Sequence, residues 1–385
     1  MRILLITDQG PDSRHSAIRG IFDRHLRHHA EVTIAWFSRT HARSEAWPGH
    51  VVLPWRFRRH GWLWRYRPPV ALDRFDIVIV RNLFPVLAGL QGQQPRTFRL
   101  GFWESFPHRY RRLYEAEQTG RALWRKRLEY AYFSRVEQRL VSRCDFYLPI
   151  TATFAERFRP GLTIPTHPLP MGVETDTLPP LKPSHRAPGS PLRLLYAGAV
   201  DRLRGFDVIL PALRALKVDF RLDIYTASRA DEVRALGVDD PRIQFHAALP
   251  RTELLARMND YDFGLSLIPP TPLYEVSSPT KTLEYFAMGL PAVMTPLPEH
   301  LSLFGDISVL FCPLDRGAIA NTLLRLSEMQ GAKELRHHGR EKVLAERSYV
   351  SLTKQLLDWL AITIFPGTAD IFVPLGVPRL PDHRL

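Results

Sequence analysis

Two short stretches carry cations where a folded chain would receive an anion. In YAGAVDRLRGFDVIL an apolar run ends at Gly198, and Arg202 and Arg204 precede Gly205 and a helical pattern. Glycines there permit close backbone approach, and two guanidiniums beside a helix start suit a phosphate. In SSPTKTLEYFAMGLPAVMT, Ser278, Pro279 and Thr280 lead into a helix whose apolar residues Leu283 and Ala287 recur at helical spacing. Lys281 falls in the first turn, where the helix dipole disfavours a cation, so an anion bound beside it accounts for its position. Glu284, one turn later on much the same face, can reach a ribose or sugar hydroxyl. A plain strand-to-helix turn and a plain helix cap are the alternatives for each stretch alone; the two together favour a diphosphate site.

The first half offers a second set of candidates. The opening run RILLIT leads into DQGPDSRHS, where Gly10, Ser13 and Arg14 are candidate ligand contacts. GFWESFPHRY follows another apolar run and puts Glu104 at a strand end and His108 four residues on. Glu104 is a candidate for the reacting centre and His108 for the acceptor side; a cap or a charge partner for nearby arginines is an equal alternative for Glu104.

These residues must be positioned by strands that alternate with helices. RILLIT, EVTIAWF, DIVIVR and TFRLGFW are short apolar runs, an amphipathic helix is expected over about 121–143, and DFYLPIT closes the first half. The alternation restarts at LRLLYAG and continues through FRLDIYT, IQFHA and FGLSLI, with helices between, one of them over 230–236. Such alternation indicates α/β domains with parallel sheets covered on both faces. At 385 residues two domains are expected. Prolines crowd the chain between Pro160 and Pro191, which reads as a stiff connector. The boundaries are an N-terminal domain over 1–170, a linker over 171–190, a C-terminal domain over 191–350, and a final helix and tail over 351–385. Ligands are expected in a cleft between the domains, at the carboxyl ends of the strands.

The combination of YAG…RLRGFDVIL with SSPTKTLEYFAMGLPAVMT, together with MGVET and DFYLPIT, resembles the glycosyl transferases group 1, or family 4, of GT-B fold. The resemblance covers the second half by motif and the first half by architecture. It implies two Rossmann-like doubly wound domains facing a cleft, and a retaining transfer of a sugar from a nucleoside diphosphate sugar. It implies no cofactor and no metal. Arg204 matches the lysine of the family's basic pair and Ala199 stands at its arginine, which leaves Arg202 to substitute. Glu284 matches the second of the family's two glutamates, and Val276 stands at the first. The resemblance thus implies a donor site of Gly10, Gly198, Arg202, Arg204, Ser278, Thr280, Lys281 and Glu284, with Glu104, Arg204 and Lys281 closest to the chemistry.

The net charge of +13 is confined to one half: residues 1–190 hold 30 Lys and Arg against 16 Asp and Glu, and the rest hold 22 against 23. WRFRRHGWLWRYR, Trp55 to Arg67, interleaves five aromatics with five arginines, and Trp62, Trp64 and Tyr66 alternate with Leu63, Arg65 and Arg67. Aromatics and arginines together suit an anionic lipid surface. Trp55, Trp62, Trp64, Arg65, Arg14 and His108 are therefore placed at the acceptor or the membrane. No apolar run reaches a membrane span and no signal-peptide pattern is present. Cys144 and Cys312 lack metal-ligand spacing and fit a reducing compartment. The expected partners are a nucleotide sugar, a lipid-linked or glycan acceptor and the inner face of the cell membrane, with the protein peripheral and cytoplasmic. A nucleic-acid-directed transferase ranks below this. A non-catalytic sugar-nucleotide binder of the same fold is the remaining alternative.

Overall fold

Runs of Ile, Val and Leu become strands here because β-branched and aliphatic side chains pack on a pleated surface that is buried on both faces. The protein was characterised as a computed structural model that describes all residues except 14, 40–47, 121, 183–185, 188, 230–236, 238, 330–332 and 367–385. Arg14, the helix expected over 230–236 and the tail beyond Pro366 lie outside the described residues.

The chain divides into two units, Met1–Met171 with the chain from Tyr349 onward, and Gly172–Ser348. In the first, β1 (Arg2–Ile6), β2 (Glu31–Ser38), β3 (His50–Pro54), β4 (Ile77–Arg81), β5 (Arg99–Glu104) and β6 (Phe146–Pro149) form a parallel sheet in the order β3-β2-β1-β4-β5-β6. In the second, β7 (Leu192–Ala197), β8 (Phe220–Thr226), β9 (Ile243–Ala247), β10 (Phe263–Ser266) and β11 (Ala292–Met294) pair in parallel in the order β11-β10-β7-β8-β9. Each order turns back on itself beside its first strand, between β1 and β4 and between β7 and β10. Loops leaving the carboxyl ends of strands at such a reversal form the natural ligand crevice.

Alternate residues of the first sheet feed two cores. Ile3, Leu5, Ile34, Trp36, Ile77 and Ile79 pack with the helical segment Ile18–His25 and with Tyr349, Leu352, Leu356 and Leu360 of the last helix, Tyr349–Thr363. The approach is close: a Cβ added at Gly20 would lie 2.1 Å from the Tyr349 ring, so only glycine fits there. On the other face, Leu4, Ile6, Val78, Val80 and Phe102 pack with Val86, Leu87 and Leu90 of the helix Phe84–Gln91. In the second unit the proline-rich stretch is tied down, with the Lys182 N–H donating to Asn259 Oδ1 at 3.0 Å and Asn259 Nδ2 donating to the Pro180 carbonyl at 3.3 Å.

The segment Trp55–Arg67 departs from its expected form. It folds as two short helices, α1 (Arg56–Arg59) and α2 (Trp62–Tyr66), rather than an alternating ribbon. Trp64 is fully buried and donates its indole N–H to the Phe57 carbonyl at 2.7 Å. It is a core residue and does not face a membrane. Trp62 is 58% exposed and Arg65 is exposed, while Trp55 is half-buried between the guanidiniums of Arg39 and Arg58, 4.6 and 4.3 Å from its ring centre. Helical spacing turns one of three aromatics inward where a period of two would put all three on one face.

Candidate functional site

In the second unit the cations gather at the reversal between β7 and β10. After β7, Gly198 takes φ +144°, a conformation that L side chains rarely adopt. Asp201 caps the short turn Arg202–Arg204 by accepting the Arg204 N–H at 2.9 Å, and its carboxylate also pairs with the Arg204 side chain. Arg202 is exposed. From the far side, the helix Thr280–Ala287 starts at Pro279 and carries Lys281 in its first turn. Lys281 Nζ sits 4.0 Å from the centre of the Tyr196 ring and 3.3 Å from where a Cβ on Gly198 would be. Among the described residues no carboxylate lies within ion-pair distance of it. Burial, reinforced by the Arg204 charge and opposed by Asp201, pushes Lys281 down to about 7.

The helix that carries Lys281 is held by an ordered polar chain. His300 Nδ1 faces the Thr295 carbonyl at 2.7 Å, so it carries the proton, and Nε2 must accept from the Thr282 hydroxyl at 2.9 Å. Thr282 then accepts from Ser266 at 2.7 Å. All four residues are buried, and burial drives the imidazole down to about 4, which keeps it neutral. Sequence reasoning missed this network, although Thr282 and His300 are polar residues at apolar-facing positions. Among the other expected donor contacts, Ser278 is buried and donates to Glu299 Oε1 at 3.2 Å, so its hydroxyl is committed within the fold. Thr280 is half-buried at the first helical position. Glu284 accepts Arg251 Nε at 2.8 Å, and Val276 is buried.

In the first unit a second polar cluster stands at the reversal between β1 and β4. Arg81, the last residue of β4, pairs with Asp8 after β1 and donates to Ser105 Oγ at 2.7 Å. It also meets His15 Nε2 at 2.7 Å, so that nitrogen accepts and the ring is neutral; burial and the Arg81 charge hold His15 down at about 4. Asn82 holds the Ser105 N–H on its Oδ1 at 2.9 Å. Gly10 adjoins this loop; a Cβ there would meet only the Phe37 carbonyl, at 3.7 Å.

Glu104 is committed elsewhere than expected. Its two oxygens accept Arg159 Nη2 at 2.6 Å and Nε at 2.9 Å, and the Tyr147 hydroxyl donates to it at 2.9 Å. Arg159 follows α6 (Ala152–Phe158), the helix after α3 (Phe84–Gln91), α4 (His108–Thr119) and α5 (Leu123–Val141), and also reaches Glu137 at 3.3 Å. Burial opposes the Arg159 charge, but Glu104, Tyr147 and Glu137 hold the guanidinium above its ordinary range. With its lone pairs taken, Glu104 anchors Arg159 rather than offering a free carboxylate. His108 opens α4 with a mostly exposed ring, 3.9 Å from Asp8. Asp8, Glu104, His108 and Arg159 border a cavity of about 450 Å³ that is also lined by α4 and α5.

Residues 191–329 match the family described as Glycosyl transferases group 1. The match lies within the second unit, Gly172–Ser348. The whole chain has the two-domain α/β fold of the GT-B glycosyltransferases. A sucrose-phosphate synthase from Thermosynechococcus elongatus superposes with TM-score 0.68 at 15% identity, covering 95% of this chain and 99% of that one. An α,α-trehalose-phosphate synthase (UDP-forming) from Burkholderia xenovorans gives 0.62 at 14%, covering 93% and 99%. A lipopolysaccharide outer core galactosyltransferase gives 0.60 at 13%, covering 94% and 99%. A comparison with curated proteins finds no match. Arg204 stands in the turn after β7 and Lys281 in the first turn of the helix Thr280–Ala287.

Proposed function

We propose that the chain is a retaining, metal-independent hexosyltransferase that moves a sugar from a nucleoside diphosphate sugar to a lipid-linked or glycan acceptor at the cytoplasmic face of a membrane. The observation that carries this reading is Lys281, without a carboxylate partner among the described residues, beside Arg204 at the β7/β10 reversal. Breaking the bond between the anomeric carbon and the diphosphate oxygen puts negative charge on the leaving group. Lys281, Arg204, Arg202 and the N–H groups that open the helix Thr280–Ala287 would stabilise that charge. The acceptor oxygen bonds to the same face of the anomeric carbon, and its proton passes to the departing diphosphate oxygen. No protein carboxylate pair is needed, which agrees with the commitment of Glu104 to Arg159. Gly198 leaves room for the donor, and Glu284, once released by Arg251, can accept a ribose or sugar hydroxyl.

The membrane part of the proposal rests on α5. Trp124, Leu128 and Tyr132, four residues apart, are 72%, 64% and 64% exposed and form one outward stripe. Exposed Arg125, Arg127 and Arg135 lie on the same helix. Tryptophan and tyrosine suit the headgroup level and arginines suit anionic lipid. Among the described residues no helix is long and apolar enough to cross a membrane, so the contact is peripheral. Changing Trp124, Leu128 and Tyr132 together to serine should weaken co-sedimentation with vesicles of phosphatidylglycerol in phosphatidylcholine at least tenfold, since each side chain loses about 1.5–3 kcal/mol of burial at most. Turnover on a short water-soluble acceptor should stay at the parent value. Vesicle binding equal to the parent's would remove the membrane from the proposal.

A further inference from the structure

The cavity of the first unit leaves part of its positive charge unexplained. Five arginines line it. Arg109 pairs with Glu137, Arg111 with Glu115, and Arg159 with Glu104 and Glu137. Arg58 and Arg112 have no such partner: among the described residues no carboxylate lies within ion-pair distance of either guanidinium. Asp8, the other acidic group on the wall, is already paired with Arg81. Arg58 is half-buried against the Trp55 ring, and Arg112 is exposed on α4 beside His108. Asp8 acts on Arg58 and Glu129 on Arg112 only from beyond ion-pair distance, which leaves both planar forks of donors open to a phosphate oxygen pair, a better fit for them than any neutral group. The rest of the wall suits a sugar-sized body: the Tyr110, Tyr130 and Ser134 hydroxyls offer hydrogen bonds, and Phe84, Phe106 and Phe158 offer apolar surface. The cavity opens at the carboxyl ends of β1, β4 and β5, where an α/β sheet takes its ligand.

We propose that this cavity binds the acceptor through a phosphoryl group held by Arg58 and Arg112. The inference deepens the transferase reading and rests on it for the word acceptor; the phosphoryl site itself stands on the cavity. The phosphoryl group belongs either to a soluble sugar phosphate or to a phospholipid headgroup, and α5 serves both, since Tyr130, Ser134 and Glu137 face the cavity while Trp124, Leu128 and Tyr132 face outward.

The test uses the full chain with nucleoside diphosphate present to occupy the second unit. Calorimetric titration with a hexose phosphate forms one arm, and co-sedimentation with vesicles of phosphatidic acid in phosphatidylcholine forms the other. The Arg58→Gln/Arg112→Gln variant should bind one of these probes about tenfold or more weakly, the size expected for lost hydrogen bonds to a charged group. Arg58→Lys/Arg112→Lys should recover part of that loss. Loss in the hexose phosphate arm assigns a soluble acceptor, and loss in the vesicle arm a lipid one. Parent-like binding of both probes by the Gln variant overturns the site. Failure of the transferase reading shows separately, as nucleoside diphosphate binding that Lys281→Ala leaves unchanged.

Discussion

Lys281→Ala is expected to lower turnover roughly 30- to 1000-fold, the loss of about 2–4 kcal/mol of transition-state stabilisation that accompanies removal of one charged donor from a leaving group. Among the described residues Lys281 has no carboxylate partner to leave stranded, so the folded state should survive the change. The pH dependence has a definite sign. Burial sets the free Lys281 near 7, and a bound diphosphate raises it by offering the charged form a partner. Below pH 7 the lysine is already protonated and donor binding is independent of pH. Above pH 7 binding must take up a proton, so donor affinity should fall about tenfold per pH unit until the pKa of the complex is reached. Calorimetry at pH 8 in buffers of different ionisation enthalpy should therefore report proton uptake on nucleoside diphosphate binding, and Lys281→Ala should abolish it. Wild-type turnover in the variant, or binding without proton uptake in the parent, would place the leaving group elsewhere.

The second large effect concerns stability. Arg159→Met should destabilise the first unit by about 3–5 kcal/mol, the usual cost of removing one member of a buried ion pair. The side chains of Arg159, Glu104 and Glu137 are 3%, 6% and 8% exposed, so the change would leave Glu104 buried without a cation and Glu137 with Arg109 as its remaining partner. Replacing Glu104 by Gln in the same molecule should restore part of the loss, because it removes one uncompensated charge. Urea unfolding of the parent, the single and the double variants reads both numbers. A single-variant loss under about 1 kcal/mol would mean the pair behaves as a surface bridge, and Glu104 would then be free for another role.

The cationic loops of the second unit were readable from the chain because their signals are local. Gly198, Arg202 and Arg204 come after one strand within a few residues, and Lys281 sits against the dipole of its own helix; both loops then meet because β7 and β10 are neighbours. The polar clusters of the first unit were not readable in the same way. Asp8, Arg81, Ser105 and Arg159 come from four separate strand ends and helix ends, and nothing in DIVIVR says that its arginine turns inward to Asp8. Glu104 was visible as a polar strand end, but its commitment to Arg159 depends on a contact 55 residues away in sequence. Trp64 shows a wrong choice of period. WLWRYR fits a period of two, yet the helix α2 packs Trp64 onto Phe57, and the outward apolar stripe lies on α5 instead. There the spacing of Trp124, Leu128 and Tyr132 was present in the sequence, but a four-residue repeat alone does not say whether its face turns to the core or to solvent.

The most direct test of the central claim is a thermal unfolding series of the full chain with UDP-, GDP-, ADP- and TDP-sugars. A ligand that binds only the folded state at about 100 times its Kd adds roughly 2.7 kcal/mol of stability. One of the four nucleotide sugars is predicted to raise the melting temperature of the parent and to leave that of Lys281→Ala much less changed. Four curves that superpose on the ligand-free curve would contradict the donor site, and with it the reading of this chain as a nucleotide-sugar transferase.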